Sequence, residues 1–296
     1  MKITVVGAGA WGRALGGVAQ KAGHHIAFWT RQSPVNLEQS DALILAVPAQ
    51  HMREVLNHIP QGNTPLISAA KGIERGSGKL MAEVMRETHP RSEHYALSGP
   101  SFAADVVAGL PTAVALAGPT LQRAMDWAEA LSTPHFRIYP SADITGVEIG
   151  GAMKNVLAIA CGVCDGQGLG DSARASLVTR GFAELSRYAK ARGAKAETLM
   201  GLSGFGDLML TCSSTKSRNY AYGLAIGRGL SVTEALAEAT GVVEGAYTAG
   251  IAAQLAAQHH IDMPIIAAVA NILGGHSSPH IEITKLLARP LRAENE

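Results

Sequence analysis

Six residues close to the amino terminus, Gly7-Ala8-Gly9-Ala10-Trp11-Gly12, restrict the fold more than any other stretch. They follow a β-branched apolar run over 3–6 and precede a helical run over 13–22 that Gly23 closes. A second apolar run, over 26–30, comes next. A G-x-G-x-x-G framed by strand, helix and strand within about 30 residues is a dinucleotide-binding turn. Gly7 allows the tight bend, Gly9 lets the backbone approach a pyrophosphate, and Gly12 lets helix and strand pack closely. The helix amino terminus, entered through Ala10 and Trp11, then faces the phosphates.

The end of the second strand speaks to which dinucleotide. Readers of NAD place an acid there for the ribose 2′-hydroxyl, whereas an arginine suits a 2′-phosphate. The residues are Thr30-Arg31-Gln32-Ser33 and the next acid is Glu38, so Arg31 favours NADP(H), with NAD(H) second. The alternative is a plain surface arginine. Ser33-Pro34 then breaks the chain, and the next strand pattern starts at 42, too soon for a full helix-plus-strand unit. The sheet edge beyond the second strand is therefore expected to be trimmed, leaving the adenine end of the pocket more open. Alternation continues with helix 50–58, strand 65–69, helix 79–88 and strands 95–98, 112–117 and 136–139, with helices from Phe102 and Leu121 between them. The pattern is a doubly wound α/β domain of Rossmann type over 1–143.

No strand alternation persists beyond Asp143, and an all-α domain is expected over 144–296. Helical periodicity runs over 144–165, 172–192, 222–229, 233–239, 246–259 and 264–273. The polar ending over 292–296 reads as a frayed tail. In the first of these helices Lys154-Asn155 interrupts an apolar sequence, and Gly150, Gly151, Ala158 and Cys161 share the lysine's face. Those small residues would let another group approach the ammonium, and burial would disfavour its charge unless an anion compensates. The other reading is a stem lying on apolar surface with its head in water.

Two loops leave strand ends where such sheets hold ligands. One carries Lys71 followed by Gly72; the other is Ser98-Gly99-Pro100-Ser101-Phe102, whose Pro100-Ser101 reads as a helix start with free N–H groups. In the second half, 201–207 reads as a flexible glycine-rich turn delivering Asp207. The stretch 211–219 then reads as a polar loop whose Ser217, Arg218 and Asn219 suit a phosphate, or else form a helix cap beside a solvated arginine.

Composition limits the partners. With 47% hydrophobic and 17% charged residues, a formal net charge of +1 and apolar runs broken well short of a membrane span, the chain reads as compact. Nothing general calls for nucleic acid or lipid. Three cysteines suit a reducing compartment, and Cys161 and Cys164, though spaced C-x-x-C, lack the second pair or histidines that zinc needs. No metal site is expected. The strand pattern beginning at the first residues leaves no room for a leader, so a cytoplasmic enzyme is expected.

Together, GAGAWG (7–12), AAKGIE (69–74), LSGPSFA (97–103), GGAMKNVLAI (150–159), GFGDLMLTC (204–212), SRN (217–219) and VVEG (242–245) resemble the NAD(P)-dependent sn-glycerol-3-phosphate dehydrogenases over nearly the whole chain. The resemblance implies reversible reduction of dihydroxyacetone phosphate by NAD(P)H in a homodimer supplying phospholipid precursor. It implies Lys154 as the acid/base, Asp207 as its partner, and Lys71 touching substrate and cofactor. It places Gly99, Ser101, Ser217, Arg218 and Asn219 at the substrate, and Ala103, Arg218, Val242 and Glu244 at the dinucleotide. The chain departs from the family in the short segment after Arg31 and in Asp105, where a glutamate is common. Rival readings are a 3-hydroxyacid dehydrogenase of the same architecture and a non-catalytic dinucleotide sensor.

Overall fold

The computed structural model describes the whole chain except Pro34, Val35, Glu38, Arg292 and 294–296. Glu38 and nearly all of the expected frayed tail thus lie outside the described residues. The first half contains β1 (Lys2–Val6), α1 (Ala10–Lys21), β2 (His25–Trp29), β3 (Ala42–Leu45), α2 (Met52–Asn57), β4 (Leu66–Ser68) and α3 (Met81–Thr88). It continues with β5 (His94–Ser98), α4 (Ala103–Val107), β6 (Thr112–Ala117), α5 (Leu121–Leu131) and β7 (Phe136–Ser141). The strands form one sheet in the order β2-β1-β3-β4-β5-β6-β7. All pairs are parallel except β5 with β6, where Leu97 faces Leu116 in antiparallel register.

Both faces of the sheet are covered, and so β3 is apolar throughout rather than alternating. Ile44 points to the layer of α1 with Ile3, Val5, Leu15 and Val18, while Leu43 and Leu45 point to Met52, Leu56, Met81 and Met85 of α2 and α3. β2 is an edge strand with no neighbour beyond it among the described residues. The short 31–41 segment therefore does trim the sheet. The reversal of β6 was not foreseen, because nothing local in 112–117 encodes direction.

The second half is helical: α6 (Ile144–Gly166), α7 (Asp171–Ala191), α8 (Ala196–Met200), a π-helical turn over Leu202–Gly206, α9 (Asp207–Cys212), α10 (Arg218–Gly227), α11 (Val232–Glu238), α12 (Glu244–Gln258), α13 (Pro264–Leu273) and α14 (Pro279–Leu287). α6 is long and apolar enough to cross a membrane, yet that apolar stretch is wholly enclosed by protein. It is apolar all round because it is the axis of the helical half. Its glycines bring backbones together: a Cβ on Gly162 would lie 2.1 Å from the Tyr220 carbonyl oxygen of α10. The Asp143 carboxylate caps α6 by accepting from Gly146 N at 2.8 Å, and its other oxygen takes Lys195 N at 2.8 Å.

Two features correct the sequence reading. The stretch 201–207 is not a flexible turn; it is a π-helical turn clamped by close packing, with a Cβ on Gly204 falling 2.0 Å from the Leu199 carbonyl oxygen. Here Gly204 serves contact rather than mobility. The polar 211–219 segment is also shorter than expected, because Thr211 and Cys212 end α9 and Arg218 already begins α10.

Candidate active site

The centre of α6 meets the carboxyl ends of the strands. Lys154 is buried there, with 8% of its side chain exposed, facing Asp207, which is 1% exposed. Lys154 Nζ donates to Asp207 Oδ1 at 2.7 Å and to Thr211 Oγ1 at 2.7 Å. Lys71, just past β4, donates through Nζ to the other oxygen, Asp207 Oδ2, at 2.6 Å, and to the Gly99 carbonyl at 2.9 Å. One carboxylate therefore sits between two lysines, so the cluster carries an excess of positive charge at the carboxyl ends of β4 and β5. The reading of Lys154 as a solvated surface cation is overturned.

The neighbours explain how the cluster is held. Asp207 opens α9, where a carboxylate suits the helix amino end. Thr211, one turn later, donates through Oγ1 to the Asp207 carbonyl at 2.6 Å, so its lone pairs face Lys154. Gly151 lets Lys71 pass close to α6: a Cβ there would meet Ser98 Oγ at 2.6 Å and Lys71 Cγ at 3.4 Å. The small face of α6 thus does admit another group. Gly99 adopts φ 152°, and a Cβ would fall 2.7 Å from Val114 Cα, which reserves the position for glycine. Its carbonyl also accepts from Ser101 Oγ at 3.0 Å.

Burial lowers the Lys154 pKa to about 8; Asp207 opposes that shift and Lys71 adds to it. Among the protein groups alone, burial outweighs the Asp207 carboxylate. An amine near neutrality beside a fixed carboxylate can give or take a proton at working pH.

A second network runs from this cluster into the helical half. Asn155 Nδ2 donates to the Lys71 carbonyl at 3.2 Å, and its Oδ1 accepts from Asn219 Nδ2 at 2.9 Å. Asn219 Oδ1 in turn accepts from Gly245 N at 2.9 Å. Ser217 is the cap of α10, its Oγ accepting from Tyr220 N at 3.2 Å. The side chains of Ser217 and Asn219 are thus engaged in building the start of α10. Arg218 is its exposed first residue, and a Cβ on Gly241 would lie 2.9 Å from its guanidinium.

The glycine turn has the shape of a dinucleotide cradle. Gly7 adopts φ 103°, a Cβ on Gly12 would fall 2.0 Å from the Gly7 carbonyl oxygen, and Gly9 faces open space. The α1 amino end, at Ala10 and Trp11, has no acid in its first turn, and Arg13 Nε donates to the Ala8 carbonyl at 2.9 Å. Two buried polar atoms nearby have no protein partner: Trp11 Nε1 and Glu244 Oε2. Glu244 opens α12 and reaches the sheet half, its Oε1 accepting from Ala49 N at 3.1 Å. Burial raises its pKa. Val242 is half-buried just ahead of that helix, and Ala103 opens α4 and, like Trp11, packs against the core on the α1 side of the sheet.

The structure brings Lys71, Gly99, Ser101, Lys154 and Asp207 into one cluster and ties Asn219 to it through Asn155, while Ser217 caps the helix that carries Asn219. Arg31 lies apart, at the β2 edge, paired with Glu54 at 2.7 Å. Thr211 and Asn155 were not assigned roles from sequence; the spacing of four from Asp207 would reveal Thr211 only once α9 is known to be helical. Among the described residues no His, Cys, Asp and Glu group could hold a metal ion, and Cys161, Cys164 and Cys212 are free and buried. A cavity of about 610 Å³ between α6, α7, α13 and α14 shares no residue with this cluster.

The amino-terminal and carboxy-terminal models of the NAD-dependent glycerol-3-phosphate dehydrogenases match residues 33–124 and 143–284. A glycerol-3-phosphate dehydrogenase [NAD(P)+] of Erythrobacter litoralis is 45% identical over 325 aligned positions, covering 100% of this chain and 98% of that one. The corresponding protein of Brucella ovis is 46% identical, covering 99% of each. The alignment with the Erythrobacter protein is longer than the present chain, so that relative carries residues with no counterpart here. A crystal structure of glycerol-3-phosphate dehydrogenase from Coxiella burnetii superposes with a TM-score of 0.91 at 35% identity, covering 97% of this chain and 99% of that one. The chain belongs to the NAD-dependent glycerol-3-phosphate dehydrogenase family.

Proposed function

We propose that the protein interconverts dihydroxyacetone phosphate and sn-glycerol 3-phosphate with NADP(H) or NAD(H), in the cytoplasm and as a homodimer, supplying phospholipid precursor. The observation that carries the reading is the buried Lys154–Asp207–Lys71 cluster at the mouth of the dinucleotide turn. In this reading the sheet half, 1–143, holds the dinucleotide through Gly7, Gly9, Ala10, Trp11, Gly12, Arg31, Lys71 and Ala103. The helical half, 144–296, adds Arg218, Val242 and Glu244, and the unpartnered Glu244 oxygen and Trp11 N–H face that cofactor.

When bound, the reduced dinucleotide supplies the hydride that adds to the ketone carbon. Lys154 then gives its proton to the C2 oxygen. Two of its three N–H groups are already engaged by Asp207 and Thr211, which aims the third. Lys71, Gly99 and Ser101 border the same space, and the excess positive charge stabilises the developing alkoxide. Arg218 holds the phosphate together with the free N–H groups at the start of α10, positioned by Ser217 and Asn219.

The direction of proton transfer fixes the pH response. Reduction needs the Lys154 ammonium, so its kcat/KM should hold below pH 8 and fall above it, given a pKa of about 8 in the free protein. Oxidation needs the free amine, so its kcat/KM should rise toward that pH and level off. Parallel profiles in both directions would contradict the assignment.

Arg218→Ala should raise the KM for dihydroxyacetone phosphate about 10–100-fold, the loss of a charge-assisted contact. An unchanged KM would remove Arg218 from the phosphate site. NADPH oxidation assayed with dihydroxyacetone phosphate beside 3-keto acids and unphosphorylated ketones tests the whole reading. Turnover confined to the phosphorylated ketone supports it; turnover of the keto acid alone supports the rival dehydrogenase; none at all supports the sensor. Sedimentation as a monomer at micromolar concentration would sink the homodimer.

A further inference from the structure

The adenosine end of the cradle holds a charge pair that the sequence does not reveal. Arg31 sits at the tip of a tight turn in which Thr30 N donates to the Ser33 carbonyl at 3.3 Å and Ser33 N to the Thr30 carbonyl at 3.1 Å. Ser33 N also reaches Thr30 Oγ1 at 3.0 Å. This turn ends the edge strand β2 and directs Arg31 across to α2. There the guanidinium meets Glu54 Oε2 at 2.7 Å, with the two side chains 52% and 50% exposed.

Among the described residues one further group meets the pair. His51 Nδ1 lies 3.5 Å from the same carboxylate oxygen. Arg53, the nearest other cation on α2, faces away and is held by Glu74 and Glu87 at 2.8 Å each. The Arg31 hydrogen bond holds the Glu54 carboxyl below its usual range, so it is anionic at any assay pH near neutrality.

A fold of this kind reads the ribose 2′ position at the end of its second strand, with an acid for a hydroxyl or an arginine for a phosphate. This chain presents both. The arginine comes from the strand end itself and the acid from α2. We propose that Glu54 is the residue that sets the balance between NAD(H) and NADP(H): it accepts from the ribose hydroxyl of NAD(H) while still paired to Arg31, and it is displaced from Arg31 by the 2′-phosphate of NADP(H). An exposed ion pair is weak enough to be exchanged, whereas a guanidinium fork on phosphate is a stronger, geometrically matched contact. Glu54 meanwhile repels the incoming phosphate. The pair therefore admits both cofactors and narrows the preference that Arg31 alone would give.

The inference rests on the dinucleotide reading of the glycine turn. It is tested by equilibrium dissociation constants for NADPH and NADH, from nicotinamide fluorescence, on the unaltered protein, Glu54→Gln and Arg31→Ala. Glu54→Gln should tighten NADPH and weaken NADH, shifting their ratio about 10-fold toward NADPH, and the shift should shrink as salt rises. Arg31→Ala should weaken NADPH about 10-fold or more and leave NADH within about twofold. If the unaltered protein binds neither dinucleotide, the cofactor reading and this inference fall together. If it binds both and Glu54→Gln leaves the ratio unmoved, or moves it toward NADH, this inference alone falls.

Discussion

Lys154→Ala is expected to lower kcat about 10²–10⁴-fold, the range that a positioned general acid supplies, while the dissociation constant for NADPH stays within about twofold. The two effects separate because the parts separate. Lys154 touches Asp207 and Thr211 at the centre of α6, whereas the glycine turn and the α1 amino end lie in the sheet half. Truncation also removes one of the two cations from a 1% exposed carboxylate, leaving Lys71 as its remaining counter-ion. Lys154→Met keeps most of the volume and should show the same loss of turnover. Activity close to that of the unaltered protein in either variant would end the claim that this amine delivers the proton.

Asp207→Asn should have the largest effect on stability. It leaves Lys154 and Lys71 facing each other in the interior with no anion between them. Breaking a buried pair from one side costs about 3–5 kcal/mol. The pH dependence of that cost has a definite sign. Lys154 has a folded pKa already lowered to about 8 from 10.5, and removing the carboxylate lowers it further. Between the folded and unfolded values the unfolded chain binds more protons, so stability rises with pH across that window. The unaltered protein gains in the same way above about pH 8, so denaturant unfolding should find the variant's deficit largest below its own lowered lysine pKa, shrinking as pH rises toward 8 and level above it. A deficit that stays constant or grows from pH 6 to pH 8 would show that the loss does not come from an uncompensated ammonium.

The features legible in sequence are those whose physics is local. Gly7, Gly9 and Gly12 announce themselves because backbone approach and a positive φ leave few alternatives to glycine. Lys154 stands out because a cation inside an apolar helix needs an explanation, and the trimmed edge beyond β2 follows from counting residues between strands. What stayed hidden depends on partners distant in the chain. The reversal of β6 has no signature in 112–117. The π-helical turn before Asp207 was misread because glycines at 201, 204 and 206 signal a loop when packing against Leu199 is invisible. Asn219 looked like a free phosphate ligand until Asn155 and Gly245 were found on its amide. Burial of Glu148 is of the same kind: one oxygen accepts from Ala82 N at 2.8 Å, tying α6 to α3, and desolvation pushes its pKa up to about 8. Glu54 gave no sign of facing Arg31.

The central claim is that one ketone carbon lies between the nicotinamide held by the sheet half and the amine of Lys154. A crystal structure of the protein with dihydroxyacetone phosphate and a non-reducing dinucleotide tests it most directly. The account predicts the C2 oxygen at about 2.6–3.2 Å from Lys154 Nζ, with the phosphate on Arg218 and the start of α10. A ketone oxygen held elsewhere, with Lys154 still turned toward Asp207 and Thr211 and away from the substrate, would contradict it.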